Sequence, residues 1–437
     1  MLLYNLRLSW TSLRRNPALS LLTVTAIGLG IAVASSFTTI YYLMAADPLP
    51  HKSDTVRYVR LDGWDPDRSF SSDHPGRPPE QLTYRDAVAI AASDIPTHTT
   101  PTFHGDLFVY PEDPNLRPFE LAVRLCQRGF FPIFEVPFAY GAPWDARADA
   151  ATERVVVIDH DTNQRLFGGE DSVGRHIKLG TGVFTVVGVL EPWRPVVKFF
   201  DTLNDDTGPP EAAYIPFMHA REMQIATDGN IQGWKGDSGE TYEDLVASET
   251  TWIQVWAQID NADQEARYQA FLDGYTDGQR KLSRFGRPNN NWIQPMREWH
   301  VEQGVVPPEA RSMVIISLLF LAVCSINLIG LLLGKFLARA PEVGVRRALG
   351  ASRRAIFLQH IVECQLLGAL GGLLGLALSV GSLRVISDMF LDDTVLFLDA
   401  NMIATGIALA LASGLIAGVY PAWRVCTVAP AIHLKAQ

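Results

Sequence analysis

Four long hydrophobic segments without any Asp, Glu, Lys or Arg restrict this chain more than any other feature. They cover residues 18–45, 312–334, 364–383 and 401–422. A helix needs about 20 apolar residues to cross a bilayer, and each of these runs reaches that length. One such run can be a buried core helix. Four in one chain predict a membrane protein and exclude a soluble enzyme.

The distribution of Lys and Arg predicts how the chain crosses the membrane. Residues 1–17 carry three Arg and no acid, and residues 335–354 carry six bases against one Glu. Residues 384–400 carry one Arg against four Asp. Short loops rich in Lys and Arg stay in the cytoplasm. With four spans, both termini and the loop 335–354 are therefore predicted to be cytoplasmic, with residues 46–310 on the opposite side.

The long block between the first two spans is acidic. Residues 18–310 hold 24 Lys and Arg against 41 Asp and Glu. Binding to nucleic-acid phosphates requires the opposite sign, so a nucleic-acid partner is excluded. The block contains a single cysteine, Cys126, and no His or Cys spacing typical of a metal site. We expect no disulfide within it, no metal centre and no catalytic residues.

The same block is predicted to be an α+β domain. Strands and helices follow the order βαββ, with a later βα and a final strand near Trp292, which is typical of a split ferredoxin-like unit. Its halves are expected at about 50–130 and 250–305, around a β-rich insert at about 131–249. The predicted strands are residues 55–61, 106–110, 119–125, 154–158, 183–190 and 252–259; helices are expected at 82–92 and from the cap Asn261 to about Arg284.

The first 17 residues predict a helix on the membrane surface. Leu3, Leu6, Trp10 and Leu13 fall on one stripe, with Arg on the polar side. The first hydrophobic run is nearly twice as long as the apolar part of a signal peptide, so it is interpreted as an anchor. A plain topology signal and a specific role in binding a partner remain alternative interpretations of the surface helix.

Glycine pairs in the hydrophobic runs predict close helix packing of the small-xxx-small type. The run from Gly330 to Lys335 superficially resembles a phosphate loop, but it lacks the required spacing and the Ser or Thr after the lysine. No nucleotide site is therefore expected. The predicted packing pairs are Gly330/Gly334, Gly368/Gly372, Gly371/Gly375 and Gly414/Gly418.

Two titratable residues, His360 and Glu363, lie one helical turn apart at the edge of the third run. Ionisable residues inside a membrane are candidates for an ion path. Because this pair lies near the end of the span, anchoring at the water interface is the favoured interpretation.

A basic stretch follows the second span: Pro341-Glu342-Val-Gly-Val345-Arg346-Arg347-Ala-Leu349-Gly350-Ala-Ser352-Arg353-Arg354. Pro341 suits the first turn of a helix, Gly350 suits its end, and Ser352 can cap the next span. A short rigid helix on the cytoplasmic side is what docking into a partner's groove requires. The candidate coupling residues are Glu342, Val345, Arg346, Arg347, Leu349, Gly350, Arg353 and Arg354.

This stretch, with Gln359 and Glu363 after it, resembles the cytoplasmic loop of MacB/FtsX-type ABC transporter permeases. The block from Gln127 to Pro137, the block from Arg165 to Arg175, Phe184-Thr-Val-Val-Gly-Val-Leu190 and Tyr214-Ile-Pro-Phe217 are similar to the MacB-like periplasmic core domain. Pro421-Ala-Trp-Arg424 resembles the family's ending after the last span. The similarity extends over essentially the whole chain.

The resemblance implies an α-helical membrane protein with four transmembrane helices and a large α+β periplasmic domain, in the bacterial inner membrane. It implies a dimeric permease that works by mechanotransmission, with ATP and magnesium on a separate ABC ATPase subunit. Full-length MacB carries a fused ATPase, which this sequence does not show, so a separate ATPase is expected. The further partners implied are a second permease copy or a paralogue, a periplasmic adaptor and the lipid bilayer.

The resemblance leaves three functions open and predicts one order of segments along the chain. Three functions stay open: a tripartite efflux or secretion system, lipoprotein release as in LolC/LolE proteins, and FtsX-like regulation of a cell-wall hydrolase. The expected segments are a surface helix (1–17), the spans 18–45, 311–337, 355–384 and 401–422, the periplasmic domain (46–310), the coupling loop (338–354), a short periplasmic loop (385–400) and a cytoplasmic tail (423–437).

Overall fold

The computed structural model describes residues 2–204, 208–390 and 399–427. The chain divides into two compact units. Residues 1–46 and 306–437 form one, here called the membrane unit, and residues 47–305 form the other, here called the core domain.

Helices and strands are numbered in chain order. The helices are α1 (Leu2–Arg15), α2 (Pro17–Ala45), α3 (Tyr84–Ala91), α4 (Phe130–Ile133), α5 (Ala146–Ala151), α6 (His160–Phe167), α7 (His219–Glu222), α8 (Tyr242–Ala247), α9 (Ala262–Lys281), α10 (Met296–Gln303), α11 (Pro308–Leu337), α12 (Ala340–Ala348), α13 (Arg353–Phe390) and α14 (Ala400–Thr427). The strands are β1 (Val56–Arg60), β2 (Leu82–Thr83), β3 (His98–Tyr110), β4 (Phe119–Cys126), β5 (Phe138–Gly141), β6 (Val155–Ile158), β7 (His176–Leu179), β8 (Gly182–Leu190), β9 (Ala213–Pro216), β10 (Thr251–Gln258) and β11 (Trp292–Pro295).

The membrane unit contains four helices that are long and apolar enough to cross a bilayer: α2, α11, α13 and α14. Two of them extend past the predicted ends. Helix α13 continues to Phe390 rather than ending at 384, and α14 continues to Thr427 rather than 422. Residues 391–398 of the predicted loop 385–400, and the tail beyond Thr427, lie outside the described residues.

The core of the membrane unit is apolar and includes the surface helix. Ile31, Leu328, Leu367 and Ala417, one from each spanning helix, are buried together. Leu13 of α1 belongs to the same core, so α1 packs onto the bundle. The side chains of Leu3 and Leu6, predicted on the same stripe, lie outside the described residues.

The core domain is built on one mixed sheet, and the split ferredoxin-like unit forms one end of it. The strand order there is β11-β1-β10-β3. Strands β1 and β3, linked through α3, alternate with β10 and β11, linked through α9. Two segments far apart in sequence are therefore paired strand by strand, as the βαβ order of both halves predicts.

The predicted insert belongs to the same sheet. Strand β4 pairs antiparallel with β3 along its whole length and parallel with β9 on its other side. The sheet then continues through β6, β8 and β5. The sequence predicts an insert between the two halves, and the structure shows that this insert prolongs their sheet because β4 contributes to both parts.

Apolar side chains cover both faces of the sheet. Phe103, Trp252 and Tyr268 belong to one buried cluster, and Tyr214 and Trp256 belong to the other. The predicted cap of α9 is present, because the Asn261 side chain accepts a hydrogen bond from the Gln264 amide at 2.9 Å. Burial on both sides makes the sheet the rigid element of the domain.

Candidate functional site

Helix α12 is held between two spanning helices by defined ends. Pro341 lies in its first turn, and Gly350 follows its last turn with φ of +99°. The Ala351 amide donates to the Arg346 carbonyl at 3.0 Å, which closes the helix end. The Ser352 hydroxyl accepts a hydrogen bond from the Ala355 amide at 3.2 Å and caps α13. These ends are the ones predicted from the sequence, and they fix the direction of α12.

One face of α12 presents apolar side chains away from the bundle. Val345 is 52% exposed and Leu349 is 83% exposed. The two residues are four apart, so their side chains lie on the same side of the helix. On the other side, Val343 is buried in the core of the membrane unit. The helix thus has an inner face fixed by Val343 and an outer apolar face.

The two arginines of α12 lie nearer the inner face than the sequence predicts. They follow Val343 by three and four residues, which places them on its side of the helix. Arg346 donates to the Gln359 side chain at 3.3 Å, and Arg347 donates to the Cys426 carbonyl at 3.3 Å. Their role as direct partner contacts stays a prediction, since Arg346 is still exposed beside its hydrogen bond to Gln359.

The remaining predicted coupling residues surround α12. Glu342 is exposed in its first turn, where its charge favours the helix dipole. Arg353 and Arg354 are exposed at the start of α13. Together with Val345 and Leu349, these side chains form an accessible surface at one end of the bundle.

A buried ion cluster lies beside this surface. Glu363 of α13 accepts a hydrogen bond from Ser12 of α1, and its Oε1 lies 2.8 Å from Lys335 Nζ and 3.8 Å from Arg339 Nη1. His360 Nδ1 lies 3.8 Å from the other Glu363 oxygen. The interpretation of His360 and Glu363 as interfacial anchors is wrong, because both are buried and Glu363 is paired with a lysine.

Sequence reasoning missed the partners of Glu363. Lys335 and Glu363 each stand at the end of a hydrophobic run, with opposite charges. The basic loop connects these two ends, so it brings them to the same side of the membrane. These opposite charges at the two ends were the signal in the sequence that could have predicted the ion pair. The Ser12 contact has no comparable signal because a serine on an amphipathic helix is common.

The glycines of α13 and α14 lie where helices touch. A Cβ at Gly372 would lie 2.6 Å from Ala410 Cβ, and one at Gly418 would lie 2.6 Å from Cys364 Sγ. Gly368 and Gly414 face each other at the same crossing. A larger residue at these positions would force the helices apart.

The other predicted glycines divide into two groups. Gly375, like Gly371, faces α2, since a Cβ there would lie 2.7 Å from the Gly28 carbonyl oxygen. By contrast, a Cβ at Gly330 or Gly334 would meet nothing within 4 Å among the described residues. The prediction that this pair packs against another helix is therefore not met by any described part of the chain.

A second cluster of polar side chains lies inside the core domain. His104, Asp201 and Glu211 are buried close enough together to suggest metal ligands. However, Arg124 contacts both carboxylates, at 2.5 Å from Asp201 and 2.6 Å from Glu211, and Lys198 lies 2.6 Å from Glu211. Two cations already balance the two carboxylates, so a metal ion would add buried positive charge that no further anion in the cluster compensates.

The same contacts shift the acidity of these carboxyl groups. Burial alone would raise the pKa of Glu211, but the charges of Arg124 and Lys198 outweigh it and lower the pKa to about 2. For Asp201 burial is likewise outweighed, by Arg124 first and then His104, and its pKa is lowered. The cluster is an ion network that links β3, β4 and the loop before β9.

Both parts of the chain match known family models. Residues 20–273 match the model of the MacB-like periplasmic core domain, and residues 314–430 match that of the FtsX-like permease C-terminal domain. The first match alone covers more than half of the chain. The chain belongs to the MacB/FtsX family of ABC transporter permeases.

Relatives of this permease include curated proteins described as macrolide export ATP-binding/permease protein MacB. The one from Bradyrhizobium diazoefficiens is 24% identical over 438 residues, which is 99% of this chain and 60% of the relative. The one from Syntrophobacter fumaroxidans is 22% identical over 333 residues, which is 70% of this chain and 46% of the relative. The permease spans about half the length of the curated relatives it matches.

A solved structure also aligns with the permease. The periplasmic region of MacB from Actinobacillus actinomycetemcomitans covers 59% of this chain and 96% of its own length, with 10% identity and a TM-score of 0.37. That score is too low to establish a shared fold by itself. The family assignment follows from the two family models.

Proposed function

We propose that this permease couples ATP hydrolysis in the cytoplasm to movement of its core domain in the periplasm, by mechanotransmission. The observation that carries the proposal is α12, a short helix fixed between α11 and α13 with Val345 and Leu349 exposed. An exposed apolar pair at helical spacing is suited to an apolar groove on a partner protein. The partner that the family implies is an ABC ATPase, which we expect to be a separate subunit that holds ATP and magnesium.

The contacts of the membrane unit support one orientation. Ser12 of α1 contacts Arg339 and Glu363, and Arg347 of α12 contacts Cys426 of α14. The N-terminal helix, the basic loop and the end of α14 therefore lie at the same end of the bundle. Basic segments favour the cytoplasmic side, so we place this end in the cytoplasm and both termini with it.

The path from the ATPase to the periplasm would run along α11 and α13. Helix α12 follows α11 after a two-residue link and is joined to α13 by residues 349–352. Helix α11 leads directly back to the core domain. Because Lys335 and Glu363 join α11 to α13 near α12, a displacement of α12 would act on both helices together.

The remaining assignments follow the family. We propose an inner-membrane dimer, formed with a second copy or a paralogue, that acts with a periplasmic adaptor in a tripartite exporter. Gly330 and Gly334 leave a small-residue face on α11 without a neighbour among the described residues, which is compatible with contact to a second copy.

The test is to identify the ATPase that co-purifies with the tagged permease. We expect an ABC ATPase in the complex, its recovery abolished by Leu349→Asp, because an unpaired charge in a desolvated groove commonly costs several kcal/mol. The matched control is Leu282→Asp in the core domain, since Leu282 is similarly exposed at 69%. Undiminished ATPase recovery with Leu349→Asp would refute docking on the outer face of α12.

A further inference from the structure

A cavity opens between the surface helix α1, helix α12 and the first turns of α13. Its volume is about 90 Å³. Arg15 contributes from α1, Arg339 and Arg346 from the basic loop, and His360 from α13. Val345 and Leu349 do not line it, so the cavity is separate from the apolar pair proposed to contact the ATPase, while Glu342 and Arg346 do line it.

The cavity carries excess positive charge. Three arginines line it against a single carboxylate, Glu342. The nearby Glu363 does not change this balance, because its charge is matched by Lys335 at 2.8 Å. An anion is therefore the ligand that this arrangement favours.

A buried polar group lines the cavity without a hydrogen-bond partner. His360 is only 4% exposed, and its Nδ1 atom forms no hydrogen bond among the described residues. Buried polar atoms normally have a partner, in the protein or in a bound molecule. This nitrogen lies 3.8 Å from a Glu363 oxygen, so the imidazole is a polar part of the lining and the arginines are what favours an anion.

Apolar side chains in the lining point to a lipid as the source of the anion. Leu8 of α1, Val343 of α12 and Ile356 of α13 line the cavity beside the arginines. Basic cavities between spanning helices on the cytoplasmic side bind anionic headgroups. A free phosphate ion would gain nothing from such apolar neighbours.

We propose that this cavity binds the phosphate of an anionic phospholipid in the cytoplasmic leaflet. Arg15 of α1 and Arg346 of α12 would contact the phosphate, with Arg339 and His360 also in the lining. The bound lipid would join α1 to α12. The proposal depends on the membrane setting of the four helices and not on the ATPase, so it can be tested with the permease alone.

The experiment measures phosphatidylglycerol retained by the full permease after purification, by native mass spectrometry. We expect Arg15→Gln and Arg346→Gln each to reduce retention about fivefold, because each removes one basic contact. The matched controls are Arg14→Gln and Arg354→Gln, which remove the same charge from the same end of the bundle but do not line the cavity. They should retain the lipid within about twofold of the parent chain.

Three results would overturn the proposal. Equal loss in the control variants would mean that diffuse surface charge attracts the lipid. Equal retention of phosphatidylcholine would remove the requirement for an anion. Displacement of the lipid by inorganic phosphate at equal concentration would assign the site to a free ion. Size-exclusion profiles of all variants establish that retention is compared between folded proteins.

Discussion

Lys335 of α11 and Glu363 of α13 form an ion pair with 2.8 Å between Nζ and Oε1, and each side chain is only 2% exposed. Ionised side chains are costly within a membrane protein unless they are paired. Glu363 also accepts a hydrogen bond from the Ser12 hydroxyl and lies near Arg339. One carboxylate therefore connects the surface helix with two spanning helices.

Removal of this carboxylate should be strongly destabilising. Glu363→Gln leaves Lys335 buried and unpaired, which commonly costs about 3–5 kcal/mol. We expect a clear decrease of the thermal unfolding temperature in detergent, and a smaller decrease for the double variant Lys335→Met with Glu363→Met, in which no charge is left alone. Glu342→Gln, at an exposed carboxylate, is the control and should leave the unfolding temperature within the error of the measurement.

The arginines of α12 should act through the position of the helix. Arg346→Glu combined with Arg347→Glu removes the bonds to Gln359 and to the Cys426 carbonyl, so α12 loses two of its contacts with the bundle. We expect membrane insertion to persist and ATPase co-purification to be lost. The double variant is compared with Leu349→Asp in the same experiment. Normal ATPase binding by the double variant would mean that the outer apolar face alone forms the docking surface.

The orientation predicts which sites an impermeant thiol reagent can reach. In cells with a permeabilised outer membrane, Ile231→Cys in the core domain should be labelled, because residue 231 is 50% exposed and periplasmic in the proposed topology. Ser352→Cys, exposed beside α12, should be protected until the inner membrane is disrupted. The opposite labelling pattern would invert the topology and remove the proposed function.

Two glycine substitutions should differ in their effect on stability, one at the crowded crossing of α13 and α14 and one on the open face of α11. Gly372→Ala places a methyl group 2.6 Å from Ala410 Cβ and should destabilise the permease by about 1–3 kcal/mol, seen as a lower unfolding temperature. Gly330→Ala meets no described atom within 4 Å and should be neutral or slightly stabilising in the monomer. Equal effects of the two substitutions would contradict the packing seen between α13 and α14.

Acid should weaken the core domain through its buried network. The folded pKa of Glu211 is depressed to about 2, so the stabilisation it provides is complete above its unfolded pKa of about 4.5 and is lost as the pH decreases toward 2. We expect tryptophan fluorescence of the full chain to report this loss, since Trp256 is bonded to the Phe200 carbonyl close by. Glu211→Gln should remove that part of the pH dependence and lower stability at neutral pH. An unchanged acid transition in this variant would exclude Glu211 as its origin.

Features that depend on local sequence were predictable. Charge-free runs gave the four spanning helices, and capping residues such as Asn261 and Ser352 gave helix starts, because hydrophobicity and capping are properties of neighbouring residues. The order of strands and helices gave the two halves of the ferredoxin-like unit. The ends of the spanning helices were predicted less accurately, since α13 continues past Arg384 to Phe390 and α14 continues past Arg424 to Thr427, and a charged residue does not by itself end a helix.

Features that depend on distant pairs were not predictable. Arg124 meets Asp201 and Glu211 across 77 and 87 residues, and no short-range pattern connects them. Strand β4 was recognised as a strand, but its second neighbour β9 was not, because pairing partners are chosen by the whole domain. The position of Arg346 and Arg347 on the same side of α12 as Val343 could have been found, since they follow it by three and four residues.

The continuous sheet of the core domain has a mechanical consequence. Along the order from β11 to β5, every strand is joined to the next by backbone hydrogen bonds, and β4 pairs with β3 on one side and β9 on the other. Shear applied at one edge would be distributed over many such bonds at once, so the domain should deform as a single stiff plate. Under load, its halves would yield together and at a higher force than two separately folded modules joined by a linker.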